Sequence, residues 1–403
     1  MSPIYTSIYL HGWDVVDEGA EAVLSRLKDF GFDAVNLAVS YHSGRYILPH
    51  NPKRRVYFAE EGVVYFDPHP ENYLNTILRP RKSSQYRDVD ILDVVVKQAQ
   101  SHGMKVNAWT VCLHNSFFVY QHPELGVRDP YGSVDYNWMC PNNPDARNYV
   151  MGLIRDLASN YDLDFIQLES AVFPWGIVHT DHHETFEVCV EPLISYLYST
   201  CFCKHCEDKA REQGLNLSEI REKVKNIIET SIHTPSHILS MIPSEDSFRN
   251  FYNLTSENPE IQDLMTYKFR VAEEMFEGAK DVLSETNPRV RLSVITGAES
   301  QGHEGISYRS ISKIVDAIDL MVYFDNPQRV YYHVKWAKRG VSDRCKLYAA
   351  LRVNYPIAFS QSIIREEMAA ARDGGADGLN IYNYGRTPLE NLRWVKEGLQ
   401  KIS

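Results

Sequence analysis

The chain has 403 residues, 44% of them hydrophobic, and a formal net charge of −11 at pH 7. This acidic excess argues against nucleic acid or an anionic membrane as a partner, and no apolar run approaches the roughly eighteen residues of a membrane-spanning helix. The N-terminal stretch MSPIYTSIYLHGWD lacks a basic region followed by an apolar one, so we expect no export signal and a cytoplasmic protein.

Short apolar strands alternate with segments of helical periodicity along the chain. The predicted strands are Ser7–Leu10, Ala34–Val39, Lys105–Val111, Phe165–Glu169, Val290–Thr296, Ile318–Phe324, Leu347–Val353 and Gly378–Tyr382. The predicted helices include residues 20–30, Val89–Ser101, Asp145–Ser159 and Leu389–Gln400. Eight such units predict an α/β fold, a (β/α)8 TIM barrel. A doubly wound sheet is the alternative, but no glycine-rich phosphate loop follows the first strand.

Long insertions follow three of the strands, in the βα connections that form the active face of a barrel. We expect one catalytic domain over residues 1–403, with insertions at 41–88 after the second strand, about thirty residues after the third, and 171–261 after the fourth. Within the first insertion, Arg55–Phe66 predicts a β-hairpin with its turn at Glu60-Glu61-Gly62. Composition leaves the subunit number open; in a homo-oligomer, this hairpin would be placed to cap a neighbouring active site.

Residues at the predicted carboxyl ends of the strands are the candidates for chemistry. Flat aromatic rings suit the C–H face of a sugar, and the polar side chains among them suit its hydroxyl groups, so we expect a carbohydrate ligand. For single tyrosines, the alternative is a place in the core of the barrel mouth. The substrate-binding candidates are His11, Trp13, Asp14, Tyr41, His42, Arg45, Trp109, His114, Glu299, Tyr323, Arg352, Asn354, Tyr382 and Tyr384.

Two carboxylates are the catalytic candidates, because glycoside cleavage needs one carboxyl group to protonate the leaving oxygen and another to attack or to activate water. Glu169 ends an otherwise apolar strand, where a charge is costly unless it is used or paired. Asp325, after the sixth strand, is the candidate for the second group, ahead of Glu299 and Asp14. The structural alternatives are a salt bridge between Glu169 and Arg352, and a helix N-cap at Asp325.

A cysteine cluster, Cys201-Phe202-Cys203-Lys204-His205-Cys206, follows the fourth strand. Without an export signal, clustered thiols indicate metal ligands before disulfides. This Cys-x-Cys-x-x-Cys run, with Glu169 at the strand end, resembles the glycoside hydrolase family 42 β-galactosidases and their clan of barrel glycosidases. The resemblance implies a structural zinc site formed by Cys140, Cys201, Cys203 and Cys206, in which His205 could replace one thiolate. The alternative is free cysteines with the metal lost.

The resemblance covers about residues 105–210 and implies a glycosidase with Glu169 as general acid/base, acting on a small or oligomeric glycoside. Leu168 stands where the family has asparagine, and the seventh strand carries no carboxylate, so neither the nucleophile nor the galactosidase specificity carries over. Carboxylates at strands four and six, here Glu169 and Asp325, are similar to the α-galactosidase pattern. The chain resembles an uncharacterised glycosidase branch.

Two other classes of protein remain open. The cluster His179-Thr180-Asp181-His182-His183-Glu184 offers metal ligands for a sugar isomerase, epimerase or lyase, although its spacing fits no helical metal motif and a polar loop is the favoured interpretation. The missing carboxylate of strand seven would also suit a non-catalytic carbohydrate-binding barrel.

Overall fold

The computed structural model describes residues 4–176, 192–232, 255–299 and 301–402. Eight parallel strands form a closed barrel in chain order, because the first strand pairs with both the second and the last. The predicted TIM barrel is therefore confirmed, and the open doubly wound sheet is excluded. The barrel strands are Tyr5–Leu10, Ala34–Tyr41, Lys105–Val111, Phe165–Glu169, Arg291–Gly297, Ala317–Met321, Lys346–Arg352 and Gly378–Tyr382.

Helices surround the barrel and bury one apolar face each, as Val23, Leu24 and Leu27 do in the second helix. Several begin at capping side chains: Asp90 accepts a hydrogen bond from the Asp93 amide, and Asn143 accepts from the amides of Asp145 and Ala146. None of the described helices is long and apolar enough to cross a membrane. The helices are Gly12–Glu18, Ala20–Asp29, Ile91–Ser101, Ser116–Gln121, Pro144–Asn160, Pro192–Tyr198, Lys204–Glu212, Leu217–Ile232, Pro259–Thr286, Gln301–Glu304, Tyr308–Ile311, Pro327–Gly340, Gln361–Gly374 and Leu389–Ile402.

One layer of the barrel interior is polar. At its centre, the Asp319 carboxylate accepts hydrogen bonds from Ser293 Oγ (2.6 Å), Gln167 Nε2 (3.1 Å) and Asn380 Nδ2. Burial raises the pKa of Asp319 to about 6, against the opposing effect of these donors. Because the partners come from different strands, a shifted strand register would leave buried polar groups unpaired, so the layer favours one register. The layer consists of Ser7, Asn36, Asn107, Gln167, Ser293, Asp319 and Asn380.

The insertion after the second barrel strand differs from the predicted hairpin. Val56–Ala59 pairs antiparallel with Gly44–Ile47, whereas Val63–Val64 pairs with the end of the second barrel strand. A turn does lie at Glu61-Gly62, but its flanking strands belong to different sheets, so the predicted hairpin at Arg55–Phe66 is wrong. The reason is burial. Val63 and Val64 are both inaccessible, and their backbone pairs with Ser40 and Tyr41 at the end of the second barrel strand.

Glu61 itself joins two loops of its own chain. Its carboxylate accepts hydrogen bonds from the amides of Ser43 (2.7 Å) and Ser116 (2.9 Å), which follow the second and third barrel strands. Gly62 has φ 59°, and a Cβ there would lie 2.3 Å from Asn115 Oδ1, so only glycine fits this position. These contacts fix the turn beside the barrel mouth.

Candidate active site

A narrow central pocket, with a cavity volume of about 60 Å³, opens at the carboxyl ends of the barrel strands. All eight strands contribute to it, each through a residue at or near its carboxyl end, which is where TIM barrels place their chemistry. Seven of the predicted site residues are brought together here: Tyr41, His42, Trp109, Glu169, Tyr323, Arg352 and Tyr382. Four lining residues were missed by the sequence analysis: Tyr9, Trp175, Ile295 and Met321.

Glu169 is the last residue of the fourth barrel strand and presents a partly accessible carboxylate to the central pocket. It accepts a hydrogen bond from the indole N–H of Trp109, on the neighbouring third strand. Burial raises the pKa of Glu169 to about 7, and the Trp109 hydrogen bond opposes that rise. The carboxyl group is therefore poised to hold or release a proton near neutral pH, as a general acid requires.

The structural alternative for Glu169, a salt bridge to Arg352, is not among the contacts of the described residues. Arg352 instead donates its Nε–H to Asn354 Oδ1 at 2.9 Å, and Asn354 in turn donates to the Arg386 carbonyl at 3.0 Å. Arg352 lines the central pocket while Asn354 is buried beside it. Asn354 therefore positions a cation at the pocket rather than contacting a ligand itself.

Aromatic rings form the walls of the central pocket and brace one another. Trp109 packs edge to face against Tyr9 and Tyr41, with ring centroids 5.0 and 4.8 Å apart. Tyr382 lies 5.7 Å from Tyr9 and 5.4 Å from Tyr323. Rings packed in this way give the central pocket rigid, preformed aromatic walls.

His42 enters the central pocket with its Nδ1 hydrogen-bonded to the backbone. Its Nδ1 lies 2.7 Å from the Ser43 carbonyl oxygen, which can only accept, so Nδ1 carries a proton. The ring stacks between Tyr41 (4.3 Å) and His114 (4.5 Å). His114 thus lies behind His42 and lines an adjacent hollow rather than the central pocket.

The residues predicted after the first strand lie in the core instead of the pocket. A helix begins at Gly12, directly after the strand, and turns His11 and Trp13 inward, where both are inaccessible. Trp13 is stacked between His11 and Tyr57, each 4.2 Å away. Asp14 is buried too, and it accepts a hydrogen bond from the His11 amide at 2.9 Å. These side chains support the pocket wall from behind.

Four further predicted residues lie outside the central pocket. Arg45 is exposed on Gly44–Ile47, and Glu299 is half-exposed and paired with Arg329 at 2.7 Å. Tyr384 is buried and donates to Glu18 at 2.8 Å. Asp325 is exposed and is not brought together with Glu169, because the sixth strand ends at Met321, earlier than predicted. Nor does Asp325 cap the following helix, whose N-cap is Asn326.

The four cysteines predicted as zinc ligands form one buried group. Their sulfur atoms lie within 4.8 Å of one another, and Cys140 Sγ is 3.5 Å from both Cys203 Sγ and Cys206 Sγ. Tetrahedral Zn–S bonds of about 2.3 Å place sulfurs about 3.8 Å apart, so the group fits a four-thiolate site. His205 is not a member of it. The predicted ligands at 179–184 lie outside the described residues.

Hydrogen-bond donors surround the cysteine group, as they do around thiolate-bound metals. The Asn142 side-chain amide donates to Cys206 Sγ (3.3 Å), and its backbone N–H donates to Cys140 Sγ (3.4 Å). The backbone N–H of Arg128 donates to Cys201 Sγ (3.4 Å). A metal held here would join the segment before helix Pro144–Asn160 to the segment before helix Lys204–Glu212. None of the four cysteines lines the central pocket, so the site suits a structural role.

No protein-family model and no curated protein matches the sequence. Solved structures match its fold: the glycoside hydrolase domain of PgaB (BpsB) from Bordetella bronchiseptica has a TM-score of 0.62 and 14% identity, over 99% of both chains. α-L-Fucosidase isoenzyme 2 from Paenibacillus thiaminolyticus has a TM-score of 0.59 and 12% identity, over 99% of this chain and 49% of that one. A GH42 β-galactosidase from G. stearothermophilus has a TM-score of 0.58 and 12% identity, over 100% of this chain and 57% of that one.

These structural neighbours are glycoside hydrolases, and at such identities the likeness shows the fold alone. The chain spans about half the length of the fucosidase and galactosidase chains and nearly all of the PgaB domain.

Proposed function

We propose that the protein is a glycoside hydrolase that cleaves a glycosidic bond in a small or oligomeric carbohydrate, with Glu169 as general acid/base. One observation carries the proposal: a carboxyl group with a pKa raised to about 7 lies at the end of the fourth strand, inside a pocket walled by aromatic rings. The glycoside hydrolase fold of the neighbouring structures supports it.

In this mechanism, Glu169 holds its proton at neutral pH and gives it to the oxygen of the leaving group. Trp109 holds the carboxyl group in one orientation and stabilises the carboxylate that remains after transfer. The tyrosine and tryptophan walls exclude water and bind the sugar ring, while Arg352 and His42 supply hydrogen bonds to hydroxyl groups.

The second catalytic group is the open part of the mechanism. Among the described residues that line the central pocket, Glu169 is the only carboxylate. Tyr9, Tyr41 and Tyr323 are disfavoured as nucleophiles, because burial raises their pKa values well above the ordinary value. Proton transfer is therefore the role of Glu169.

Hydrolysis of a panel of α- and β-linked aryl glycosides and natural oligosaccharides tests the proposal. Turnover of one member would identify the sugar and the linkage together. A folded protein that hydrolyses no member would contradict the proposal. If calorimetry then showed glycan binding, the protein would be a carbohydrate-binding barrel, which the single carboxylate among the described lining residues also suits.

Trp109→Phe is expected to shift the pH dependence of kcat. Wild-type kcat should fall above about pH 7, as Glu169 loses its proton. The Trp109 hydrogen bond lowers that pKa, so its removal should move the alkaline limb up by roughly 0.5–1 pH unit. Trp336→Phe, at an exposed tryptophan far along the chain, is the control and should leave the limb in place. If Trp109→Phe left the alkaline limb of the kcat profile unchanged, a group other than Glu169 would set that limb.

A further inference from the structure

A second hollow, with a cavity volume of about 380 Å³ and here called the side cleft, adjoins the central pocket. It lies over the insertion that follows the third barrel strand, where Gly126–Arg128 pairs with Val134–Met139. The described residues that line it include His114, Tyr120, Asp129, Asp135, Tyr136 and Trp138.

The side cleft and the central pocket lie side by side and share a wall. His42 lines the pocket and stacks at 4.5 Å on His114, which lines the cleft and stacks at 5.3 Å on Trp138. Along the chain, Trp175 lines the pocket while its neighbours Pro174 and Gly176 line the cleft. The side cleft is therefore the nearest surface for the further units of a ligand that extends beyond the central pocket.

The side cleft presents aromatic rings to solvent. Tyr120 and Tyr136 are stacked at 4.8 Å with an interplanar angle of 23°, and they are 68% and 38% exposed. An exposed pair of parallel rings is a surface on which the C–H face of a sugar can stack, and exposed apolar patches of this kind mark binding sites. The pair is not needed for the barrel core, because it lies on the insertion.

The charges of the side cleft restrict its ligand. Its lining contains Asp129 and Asp135 and, among the described residues, no lysine or arginine. Asp129 accepts hydrogen bonds from the amides of Tyr131 (2.9 Å) and Ser133 (2.8 Å), and Asp135 accepts from the Asn137 amide (2.8 Å). These hydrogen bonds fix both carboxylates in place. Among the described lining residues, an acidic saccharide would meet two carboxylates and no lysine or arginine to offset them.

We propose that the side cleft binds the further sugar units of an oligosaccharide whose end unit occupies the central pocket, and that these units are uncharged or amino sugars rather than acidic ones. This inference rests on the proposed function and extends it: the substrate class is an oligosaccharide chain that spans both hollows, and the stacked tyrosines bind its distal units.

The test compares substrates of increasing length in the double variant Tyr120→Ala/Tyr136→Ala. The probes are galactose, glucose and glucosamine oligomers of two to six units, with oligogalacturonates as the acidic series. We expect wild-type kcat/KM to rise with length for a neutral or amino-sugar series. The ratio of long-chain to short-chain kcat/KM should fall about tenfold in the double variant. Tyr332→Ala, at an exposed tyrosine on helix Pro327–Gly340, is the control and should keep the wild-type ratio.

A ratio that is unchanged in the double variant, or a preference for the acidic series, would overturn the inference. So would sedimentation showing that the wild type self-associates and the double variant does not, since the tyrosine pair would then be a subunit interface. If no probe is hydrolysed, the proposed function fails, and calorimetry with the same oligomers decides the inference separately. Length-dependent binding that the double variant loses would support it, and its absence would overturn it.

Discussion

Glu169→Gln is expected to lower kcat for glycoside hydrolysis about 10²–10⁴-fold, the usual contribution of a general acid, while the protein stays folded. Glutamine keeps the shape of the side chain and an oxygen that can accept the Trp109 hydrogen bond, but it has no proton to give. The measurement is kcat on the best substrate, together with circular dichroism and thermal unfolding. Unchanged turnover in this variant would contradict the assigned role.

Two control variants separate catalysis from general charge loss. Glu299→Gln removes a half-exposed carboxylate that pairs with Arg329, and kcat should stay within about twofold of wild type. Asp325→Asn tests the second predicted carboxylate. Because that side chain is exposed and outside the central pocket, we expect little change; a loss as large as that of Glu169→Gln would restore Asp325 to the mechanism.

The raised pKa of Glu169 also links catalysis to stability. In the unfolded chain, the carboxyl titrates near its ordinary 4.5, whereas burial raises the folded value to about 7. The folded state therefore binds the proton more tightly, and this contribution to stability is present at low pH and is lost as the pH rises through about 7. Glu169→Gln should accordingly be more stable than wild type at pH 8, by roughly 1–3 kcal/mol.

The barrel could be predicted from the sequence, because buried parallel strands are continuous apolar runs. Each run is followed by a segment whose apolar residues recur with the 3.6-residue period of a helix. Glu169 was also visible, since a lone carboxylate at the end of such a run is costly unless it has a function. Both signals are local, so one stretch of chain contains all that is needed to detect them.

Three of the four missed pocket residues reflect side-chain direction rather than the position of the strands. Residues two apart in a strand face the same way, so a pocket residue should lie two positions after a member of the polar interior layer. Asn107 and Trp109 obey this rule, as do Gln167 and Glu169. The same rule would have found three of the missed residues: Tyr9 after Ser7, Ile295 after Ser293 and Met321 after Asp319.

Other placements depend on long-range contacts that no local pattern contains. Trp13 follows a strand end, as a pocket residue would, but the helix that begins at Gly12 turns it into a stack with Tyr57, 44 residues away in the insertion. Val63–Val64 pairs with the barrel instead of with Val56–Ala59, because the backbone at the end of the second barrel strand was open to pairing. Such choices are decided by the assembled tertiary structure.

Loss of metal from the cysteine group is expected to destabilise the protein strongly. Purified protein should contain about one zinc per chain, with X-ray absorption showing four sulfur ligands near 2.3 Å. Cys203→Ser removes one ligand and should lower the melting temperature by roughly 10 °C, because the metal would join the segments that follow the third and fourth barrel strands. A chelator should produce a similar shift in the wild type and little further shift in the variant.

Loss of the metal should also affect ligand binding, because the segments that follow the third and fourth barrel strands hold the cysteines and also line the side cleft. Trp138, two residues before Cys140, donates its indole N–H to the Val172 carbonyl at 2.7 Å and stacks on His114. Loosening the cysteine group should therefore weaken binding of long oligosaccharides more than binding of short ones. Cys345→Ser is the matched control: its thiol is buried outside the group, so it tests the loss of a buried thiol without the loss of a ligand. Equal destabilisation in Cys203→Ser and Cys345→Ser, with no zinc in the wild type, would show that the four cysteines are only packed thiols.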